Sequence, residues 1–390
     1  MLNFTFSNTT KIVFGRGVEE QSGVEAALWG KKVLLHYGGG HIVRSGLKDR
    51  VVAALRQPGL DYVELGGVQP NPRLSLAREG IALARKEQVD LILAVGGGST
   101  IDSAKAIAIG VPYDGDVWDF YAGKAEAVES LPVGVVLTIP AAGSESSTSS
   151  VLTNEDGWLK RGYGSLVLRP KFALLNPELT YSLPAYQTAC GVADMIAHIM
   201  ERYFTNEREV GFGDHLCEAA LRSIIQEAPR AIAEPENYGA RANIMWAGTI
   251  AHNDLLGRGR SEDWASHAIE HELSALYDVA HGAGLAIVFP AWMKYVYKHD
   301  PARFVQFAVR VFGVEQDFHN PERTILEGIR RLEDFFRRIG LPTTLAEANL
   351  PADRLEEMAA KSTVGDTKEL GSFVPLRHRD VLAIYELCQG

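Results

Sequence analysis

Residues 91–101 read Leu-Ile-Leu-Ala-Val-Gly-Gly-Gly-Ser-Thr-Ile, and this stretch decides the fold class. A short apolar run that ends in turn residues predicts a strand, here 91–95. The glycines and Ser99 then predict a tight turn, with a helix beginning near Thr100 or Ile101. A strand that runs directly into a helix is the beginning of a βαβ unit.

The same alternation extends on both sides of this stretch. Strands are predicted at 32–37, 61–65, 91–95, 133–138 and 172–175, and helical spacing of apolar residues occurs at 43–56, 73–86 and 101–109. We therefore expect an α/β nucleotide-binding domain with a parallel, Rossmann-like sheet. From Pro184 onward the helical stretches 186–203, 213–233, 240–255 and 263–276 follow one another without a strand. The closely spaced prolines of 177–184 mark the boundary, so we expect an α/β domain at 1–183 and an all-helical catalytic domain at 184–390.

Composition excludes several classes of protein. The chain has 390 residues, of which 46% are hydrophobic and 23% charged, as expected of a globular protein of two domains. Its net charge of -10 and the lack of a basic stripe argue against a nucleic-acid partner. No apolar run is long enough for a membrane span, and the amino terminus is unlike a signal peptide. Three cysteines without metal-type pairs favour a reducing compartment, so we expect a cytoplasmic protein.

Three loops follow strands of the predicted sheet and contain small residues. Gly96–Gly97–Gly98–Ser99 suits a phosphate, because glycines allow close approach and a helix amino terminus favours an anion. The alternative is a glycine-rich turn in which Ser99 only caps the helix. A second run, Gly38-Gly39-Gly40-His41, follows the strand 32–37, and a third segment, 138–145, follows the strand 133–138. Ligands of open α/β sheets bind at this edge, so three such loops favour a nucleotide.

Four residues of the second half have the spacing and chemistry of a metal site. Asp194 and His198 are four residues apart on a predicted helix and therefore share a face. His267 and His281 lie in a later segment. Three imidazoles and one carboxylate suit zinc or ferrous iron better than magnesium or calcium. A competing interpretation takes 267–271 as the H-x-x-E-H pattern of some zinc peptidases, but it explains neither the glycine loops nor the earlier pair.

Taken together, these segments resemble the iron-containing (type III) alcohol dehydrogenase family, and in particular its butanol dehydrogenase and NADPH-dependent aldehyde reductase branch. The resemblance covers essentially the whole chain. The segments that carry it are 67–72, 96–105, 138–145, 191–198 and 264–284. Two positions depart from the family pattern: Ala142 and Ser144 stand where threonines are common, and His41 stands where the NADPH-linked branch often has serine.

The resemblance implies roles for individual residues. Gly97, Gly98 and Ser99 would hold the cofactor pyrophosphate. Further residues would line the cofactor groove or lie near it, namely Asn71, Thr138, Ser144 and Lys160. Asp102 would lie near the nicotinamide end and is, with His271, a candidate catalytic residue. Asp194, His198, His267 and His281 would ligate one catalytic metal, and His271 would stand close by without ligating it. We interpret His271 as the group that relays a proton between the bound alkoxide and solvent, with a core or supporting histidine as the alternative.

The choice of nucleotide depends on the loop after strand 32–37, which contains no acidic residue. NAD-specific sites usually place a carboxylate against the ribose 2′-hydroxyl. Such a carboxylate would repel a 2′-phosphate by roughly 4 kcal/mol at about 4 Å and an effective dielectric near 20. Gly38 and Gly39 leave room, and His41 and Arg44 are candidate donors, although His41 is equally compatible with a neutral loop residue. We therefore predict NADP(H), with NAD(H) as the alternative.

The predicted activity follows from these parts. One divalent Fe²⁺ or Zn²⁺ ion would polarise the substrate oxygen while hydride passes between the substrate carbon and the nicotinamide. We expect small primary alcohols or aldehydes as substrates and a homodimer as the assembly. A glycerol-type polyol dehydrogenase, a sugar-cyclising synthase with a related nucleotide domain, and a catalytically silent nucleotide-binding regulator are the alternatives.

Overall fold

The computed structural model describes residues 1–390, which form two compact units. One unit is Ser7–Leu183, and the other is Pro184–Gly390 together with Met1–Phe6. The division expected from sequence assigned all of 1–183 to the first domain, and the structure differs at the amino terminus. There the Leu2 amide donates to the Gly259 carbonyl at 2.8 Å, which attaches the first residues to the helical unit.

The first unit contains a six-stranded, wholly parallel sheet of order β1-β8-β5-β4-β2-β3. A separate antiparallel hairpin is formed by β6 and β7. The strands are β1 (Lys11–Phe14), β2 (Lys32–Tyr37), β3 (Asp61–Leu65), β4 (Leu91–Gly97), β5 (Val133–Ile139), β6 (Ser149–Asn154), β7 (Leu159–Gly164) and β8 (Phe172–Leu175). The predicted parallel α/β domain is confirmed.

The helices of this unit connect the strands. They are α1 (Ser22–Ala26), α2 (Gly40–Arg44), α3 (Leu47–Arg56), α4 (Leu74–Glu87), α5 (Gly98–Gly110) and α6 (Trp118–Tyr121). The structure has two helices where a single one was expected at 43–56, because Gly46 adopts a φ of 70° and interrupts the helical conformation between them. Helix α5 begins at Gly98, two residues earlier than expected. Strand β1 and the β6–β7 hairpin were not expected from the sequence.

The centre of the sheet is apolar because β4, β5 and β8 are buried on both faces. Gly134 of β5 pairs with Phe172 of β8, and a Cβ at Gly134 would collide with the phenylalanine ring. The glycine thus makes room for a ring whose burial contributes about 1.5–3 kcal/mol. Strand β4 lies between β2 and β5, so the loops after these three strands leave the sheet at one edge.

The second unit is helical, as expected. Its helices are α7 (Ala185–Tyr203), α8 (Gly211–Ala233), α9 (Tyr238–Ala251), α10 (Ala265–Tyr277), α11 (His281–Val296), α12 (Pro301–Phe312), α13 (Pro321–Arg338), α14 (Leu355–Ser362) and α15 (His378–Leu387). Helix α7 is buried from Thr188 to Tyr203 and packs against α8, α9 and α11. A side chain on almost any face of α7 is therefore inside the protein.

None of the helices is long and apolar enough to cross a membrane.

Candidate metal and cofactor sites

At the turn from β4 into α5, the protein's own packing requires glycine at two positions but not at a third. A Cβ at Gly96 would collide with Thr100, and one at Gly97 would lie 2.9 Å from the Ile139 Cβ. At Gly98, in contrast, the nearest atom would be the Ala142 Cβ at an ordinary 3.7 Å. The capping interpretation of Ser99 does not apply, because Ser99 lies inside the helix and no side chain caps the α5 amino terminus. This open helix end fits a phosphate.

The second glycine loop lies beside the first. A Cβ at Gly38 would come within 3.6 Å of Thr100 Oγ1, whereas one at Gly39 would meet nothing within 4 Å. The nearby Glu64 carboxylate accepts from Tyr37 at 2.9 Å and pairs with a lysine, so it is already neutralised. His41 is exposed and forms a hydrogen bond with Ser182 Oγ at 3.1 Å. The loop has space and no carboxylate of its own.

The third loop is tied to α5 through Asp102. Ser144 Oγ donates to Asp102 Oδ1 at 2.6 Å, and the Val151 amide donates to Oδ2 at 2.9 Å. Lys105, fully buried on the next turn of α5, donates to Ser144 Oγ at 3.0 Å and to the Ser149 carbonyl at 2.8 Å. Both carboxylate oxygens of Asp102 therefore accept hydrogen bonds within the protein, and Asp102 holds the Ser144 loop in place.

The remaining candidate groove residues are buried. Thr138 is in β5, Lys160 is in β7, and Asn71 has a φ of 54° in the segment before α4. The structure connects two of them through Thr153, whose amide donates to the Pro72 carbonyl at 2.8 Å and which pairs with Lys160 across the hairpin. The unexpected β6–β7 hairpin thus links the segment of Asn71 to Lys160.

The four candidate metal ligands come together around one oxygen atom. Asp194 and His198 lie on α7, His267 on α10, and His281 is the first residue of α11. Asp194 Oδ1 lies 3.2 Å from the Nε2 of His198 and 3.9 Å from the Nε2 of both His267 and His281. Asp194, His267 and His281 offer ligand atoms that are all within 4.8 Å of one another.

The chemistry of this cluster fits a divalent cation. Asp194 Oδ1 and His267 Nε2 are buried and have no hydrogen-bond partner, and these are atoms that would bind a metal. Burial by itself would raise the pKa of Asp194, but the adjacent imidazoles hold it well below its usual range. Burial lowers the pKa of His198 to about 3, which keeps this imidazole neutral and able to ligate.

The surroundings of His267 also favour a positive charge in the cluster. Burial opposes protonation, yet the nearby Asp194 and Glu201 carboxylates raise the pKa of His267 to about 9. The two carboxylates that favour a proton on His267 would equally favour a divalent cation beside it.

Further buried residues hold the candidate ligands in place, and their supporting role was not predicted from the sequence. Glu201 Oε1 accepts from His267 Nδ1 at 2.8 Å, and Glu270 accepts from His281 Nδ1. His198 Nδ1 lies 2.7 Å from the Nδ1 of His252. In each case the Nδ1 is occupied and the Nε2 is directed to the cluster, which is the usual arrangement for metal-binding histidines. Spacing offered a signal, because Glu201 lies one helical turn after His198 and Glu270 one turn after His267.

The zinc-peptidase interpretation of 267–271 does not fit this geometry. Glu270 would have to be a general base beside a water molecule. Instead it is fully buried, and its carboxylate accepts from Ser274 Oγ as well as from His281. Gly284 makes room for this carboxylate, since a Cβ there would collide with it. Glu270 therefore supports His281.

His271 lies beside the cluster without joining the four-residue set. Its ring centroid is 5.6 Å from that of His281, and the side chain is half-buried. Trp264 also packs against the cluster, with its ring centroid 5.1 Å from that of His267.

Comparisons with known proteins agree with the fold and with this chemistry. The sequence matches the family described as iron-containing alcohol dehydrogenase over residues 9–177, and its carboxyl-terminal part, described as Fe-containing alcohol dehydrogenase family, C-terminal, over residues 188–388. The probable NADH-dependent butanol dehydrogenase 1 of Bacillus subtilis is 44% identical over 384 residues, or 98% of this chain and 99% of that protein. The NADPH-dependent aldehyde reductase YqhD of Escherichia coli is 36% identical over 378 residues, 95% of each chain.

A solved structure gives the same result. The NADH-dependent butanol dehydrogenase A of Thermotoga maritima, 42% identical, matches with a TM-score of 0.96 over 100% of this chain and 99% of that one. The chain belongs to the iron-containing alcohol dehydrogenase family. Within this family it falls in the butanol dehydrogenase branch, and it is an NAD(P)-dependent oxidoreductase of the alcohol dehydrogenase and aldehyde reductase class. The predicted family and class are confirmed.

Proposed function

We propose that this chain interconverts small primary alcohols and aldehydes, with butanol and butanal as representative substrates, using one divalent Fe²⁺ or Zn²⁺ ion. The supporting observation is the convergence of Asp194, His198, His267 and His281 with two buried ligand atoms that lack partners. When bound, the metal supplies Lewis acidity that polarises a carbonyl, and the nicotinamide supplies the hydride equivalent.

The protein's own residues bind, orient and move protons in this proposal. Glu201 and Glu270 hold two of the imidazoles with Nε2 directed at the cluster. His271, half-buried beside His281, exchanges a proton between the substrate oxygen and solvent. Asp102 acts by holding the Ser144 loop, because both of its carboxylate oxygens already accept hydrogen bonds.

The nucleotide would lie on the three loops of the α/β unit. Gly97, Gly98 and Ser99 at the open amino terminus of α5 would hold the pyrophosphate, supported by the space that Gly98 leaves. The other groove residues in the proposal are Gly38, Gly39, His41, Asn71, Thr138, Ser144 and Lys160.

For the nucleotide itself we propose NADPH, with NADH as the alternative. There is space for a Cβ at Gly39. Glu64 is paired with Lys48, so the second loop has no opposing negative charge. The names of the relatives differ in the nucleotide, which is NADH for the Bacillus subtilis protein and NADPH for the Escherichia coli protein. The measurement is kcat/KM for both nucleotides with one saturating aldehyde, in the wild type and in Gly39→Asp. A wild type that favours NADH would reject the proposal, and a variant with unchanged preference would show that this loop does not discriminate.

The central experiment combines metal analysis with turnover. Metal content per chain is measured together with NAD(P)H oxidation on a panel of aldehydes, and with NAD(P)⁺ reduction on alcohols that include glycerol. We expect one metal per chain and butanal turnover, both lost in His267→Ala and both retained in His319→Ala, an exposed histidine in the same unit. Full activity in metal-free protein would contradict the metal-dependent mechanism. Intact metal and nucleotide binding without turnover would instead indicate a silent regulator.

The proposal includes a cytoplasmic homodimer. The segment Met1–Phe6 has no regular secondary structure and exposes the large apolar side chains of Met1, Leu2, Phe4 and Phe6, which suits a subunit contact. All three cysteines are buried and free, as suits a reducing compartment. Light scattering on the wild type and on a Phe4→Ser variant tests the assembly, and cell fractionation tests the location. A monomeric wild type would reject the dimer.

A further inference from the structure

The three imidazoles of the cluster are not supported in the same way. His267 and His281 each have a buried carboxylate at Nδ1, from Glu201 and Glu270. His198 has instead another imidazole, that of His252, at an Nδ1-to-Nδ1 distance of 2.7 Å. His252 is buried at the carboxyl end of α9, and its ring meets that of His198 edge-on with centroids 4.2 Å apart.

This contact restricts the tautomers of both rings. Two nitrogen atoms at hydrogen-bond distance need one N–H and one lone pair between them. His198 Nε2 lies 3.2 Å from Asp194 Oδ1, on the side of the other ligand atoms, so its lone pair is needed there if a metal binds. A neutral His198 must then carry its proton on Nδ1 and donate it. His252 must accept through Nδ1 and carry its own proton on Nε2.

We propose that His252 is a positioning residue that fixes His198 in the metal-binding tautomer and so strengthens metal binding. The inference rests on the metal centre of the proposed function. His252 is not a fifth ligand in this arrangement, because the nitrogen that faces the cluster is already engaged with His198. As a neutral acceptor it polarises its partner less than a carboxylate does, so His198 receives weaker support than His267 and His281 do.

The energetic consequence is measurable in the affinity for metal. Loss of a partner behind a ligating histidine typically costs about 10- to 100-fold in metal affinity. Because His252 is neutral, we expect its loss to lie at the lower end, about 10-fold. Asparagine can place an amide oxygen where His252 has Nδ1, so it should retain most of the affinity, whereas leucine fills space without accepting.

The test uses zinc as the probe and the full chain. Zinc affinity is measured by competition with a chromophoric chelator for the wild type, His252→Leu, His252→Asn and the control His299→Leu. His299 is an exposed histidine of the same unit that forms a hydrogen bond with Asn206 away from the cluster. Thermal unfolding of each metal-free variant shows whether the fold is intact. We expect about 10-fold weaker binding for the leucine variant, less than about 3-fold weakening for asparagine, and no change in the control.

Three results would overturn the inference. The first is unchanged zinc affinity in a folded His252→Leu variant, and the second is equal losses with leucine and asparagine, which would indicate packing alone. The third is a His198 that does not carry its proton on Nδ1 in the zinc-loaded wild type. Nitrogen-15 NMR of the histidines measures this, and it requires no variant to fold. Failure of the wild type to bind zinc or iron at all would reject the proposed metal centre itself and is thus distinguishable.

Discussion

The variant Gly98→Ala tests whether the glycine is required for nucleotide binding, whereas the neighbouring Gly97 is required for packing. A Cβ at position 98 would meet only Ala142, at 3.7 Å, and the residue is the first of α5. Alanine favours a helix interior by up to about 1 kcal/mol over glycine, so the variant should be as stable as the wild type or slightly more stable. Gly97→Ala, in contrast, would press against Ile139 at 2.9 Å and should lose about 1–3 kcal/mol of stability.

In Gly98→Ala, nucleotide affinity should fall although stability does not. If the pyrophosphate approaches the backbone at Gly98, the new methyl group occupies its place, and we expect at least a roughly 10-fold loss in nucleotide affinity, equal to about 1.4 kcal/mol. The assay is fluorescence titration with NADPH and NADH, paired with thermal unfolding. Gly211→Ala is the matched control, since Gly211 also begins a helix and a Cβ there would meet nothing within 4 Å. Wild-type nucleotide affinity in a stable Gly98→Ala variant would refute the phosphate assignment of this turn.

Three further predictions follow from buried or half-buried groups. Glu201→Gln should lower metal affinity by up to about 100-fold, because an amide cannot accept from all three N–H groups that the carboxylate now binds. Competition with a chelator measures this affinity, and an unchanged value would contradict the prediction. His271→Ala should lower kcat by about 100-fold or more with metal retained, and an unchanged pH–rate profile would remove it from proton transfer. Burial lowers the pKa of His36 to about 4, so its neutral form stabilises the fold above pH 6.5, and this contribution of about 3 kcal/mol is lost as the pH falls towards 4. Urea unfolding at pH 7 and pH 4.5 should show a smaller loss in His36→Gln than in the wild type, and equal losses would exclude His36 as the cause.

The sequence predicted those elements whose local pattern and tertiary environment agree. Strands β2 and β3 begin and end at the predicted residues, because turn residues such as Gly30, Gly59 and Gly66 interrupt the pattern beside them. Strand β1 was missed because it has only four residues, of which the two outer ones are exposed. The β6 strand reads Ser-Ser-Val-Leu-Thr-Asn, so its polar residues conceal a strand that exists through its pairing with β7 and its contacts with α5.

The four candidate metal ligands could be identified from their spacing, whereas the residues that support them were not recognised. A glutamate one turn after a histidine ordinarily indicates the solvated face of a helix, and burial of a carboxylate is costly unless partners compensate. Glu201 receives those partners from α10 and from the residue before it, segments distant in sequence. Only the tertiary structure shows that three N–H groups converge on this carboxylate and make its burial tolerable.

The glycines after His281 show how the sequence nonetheless encodes these supports. A Cβ at Gly282 would collide with the Cys190 carbonyl of α7, and one at Gly284 would collide with the Glu270 carboxylate of α10. The first glycine allows α11 to approach the helix that carries Asp194, and the second leaves space for the carboxylate that holds His281. Small residues beside His281 therefore contribute to the candidate metal centre, because they determine how closely α11 can approach α7 and α10.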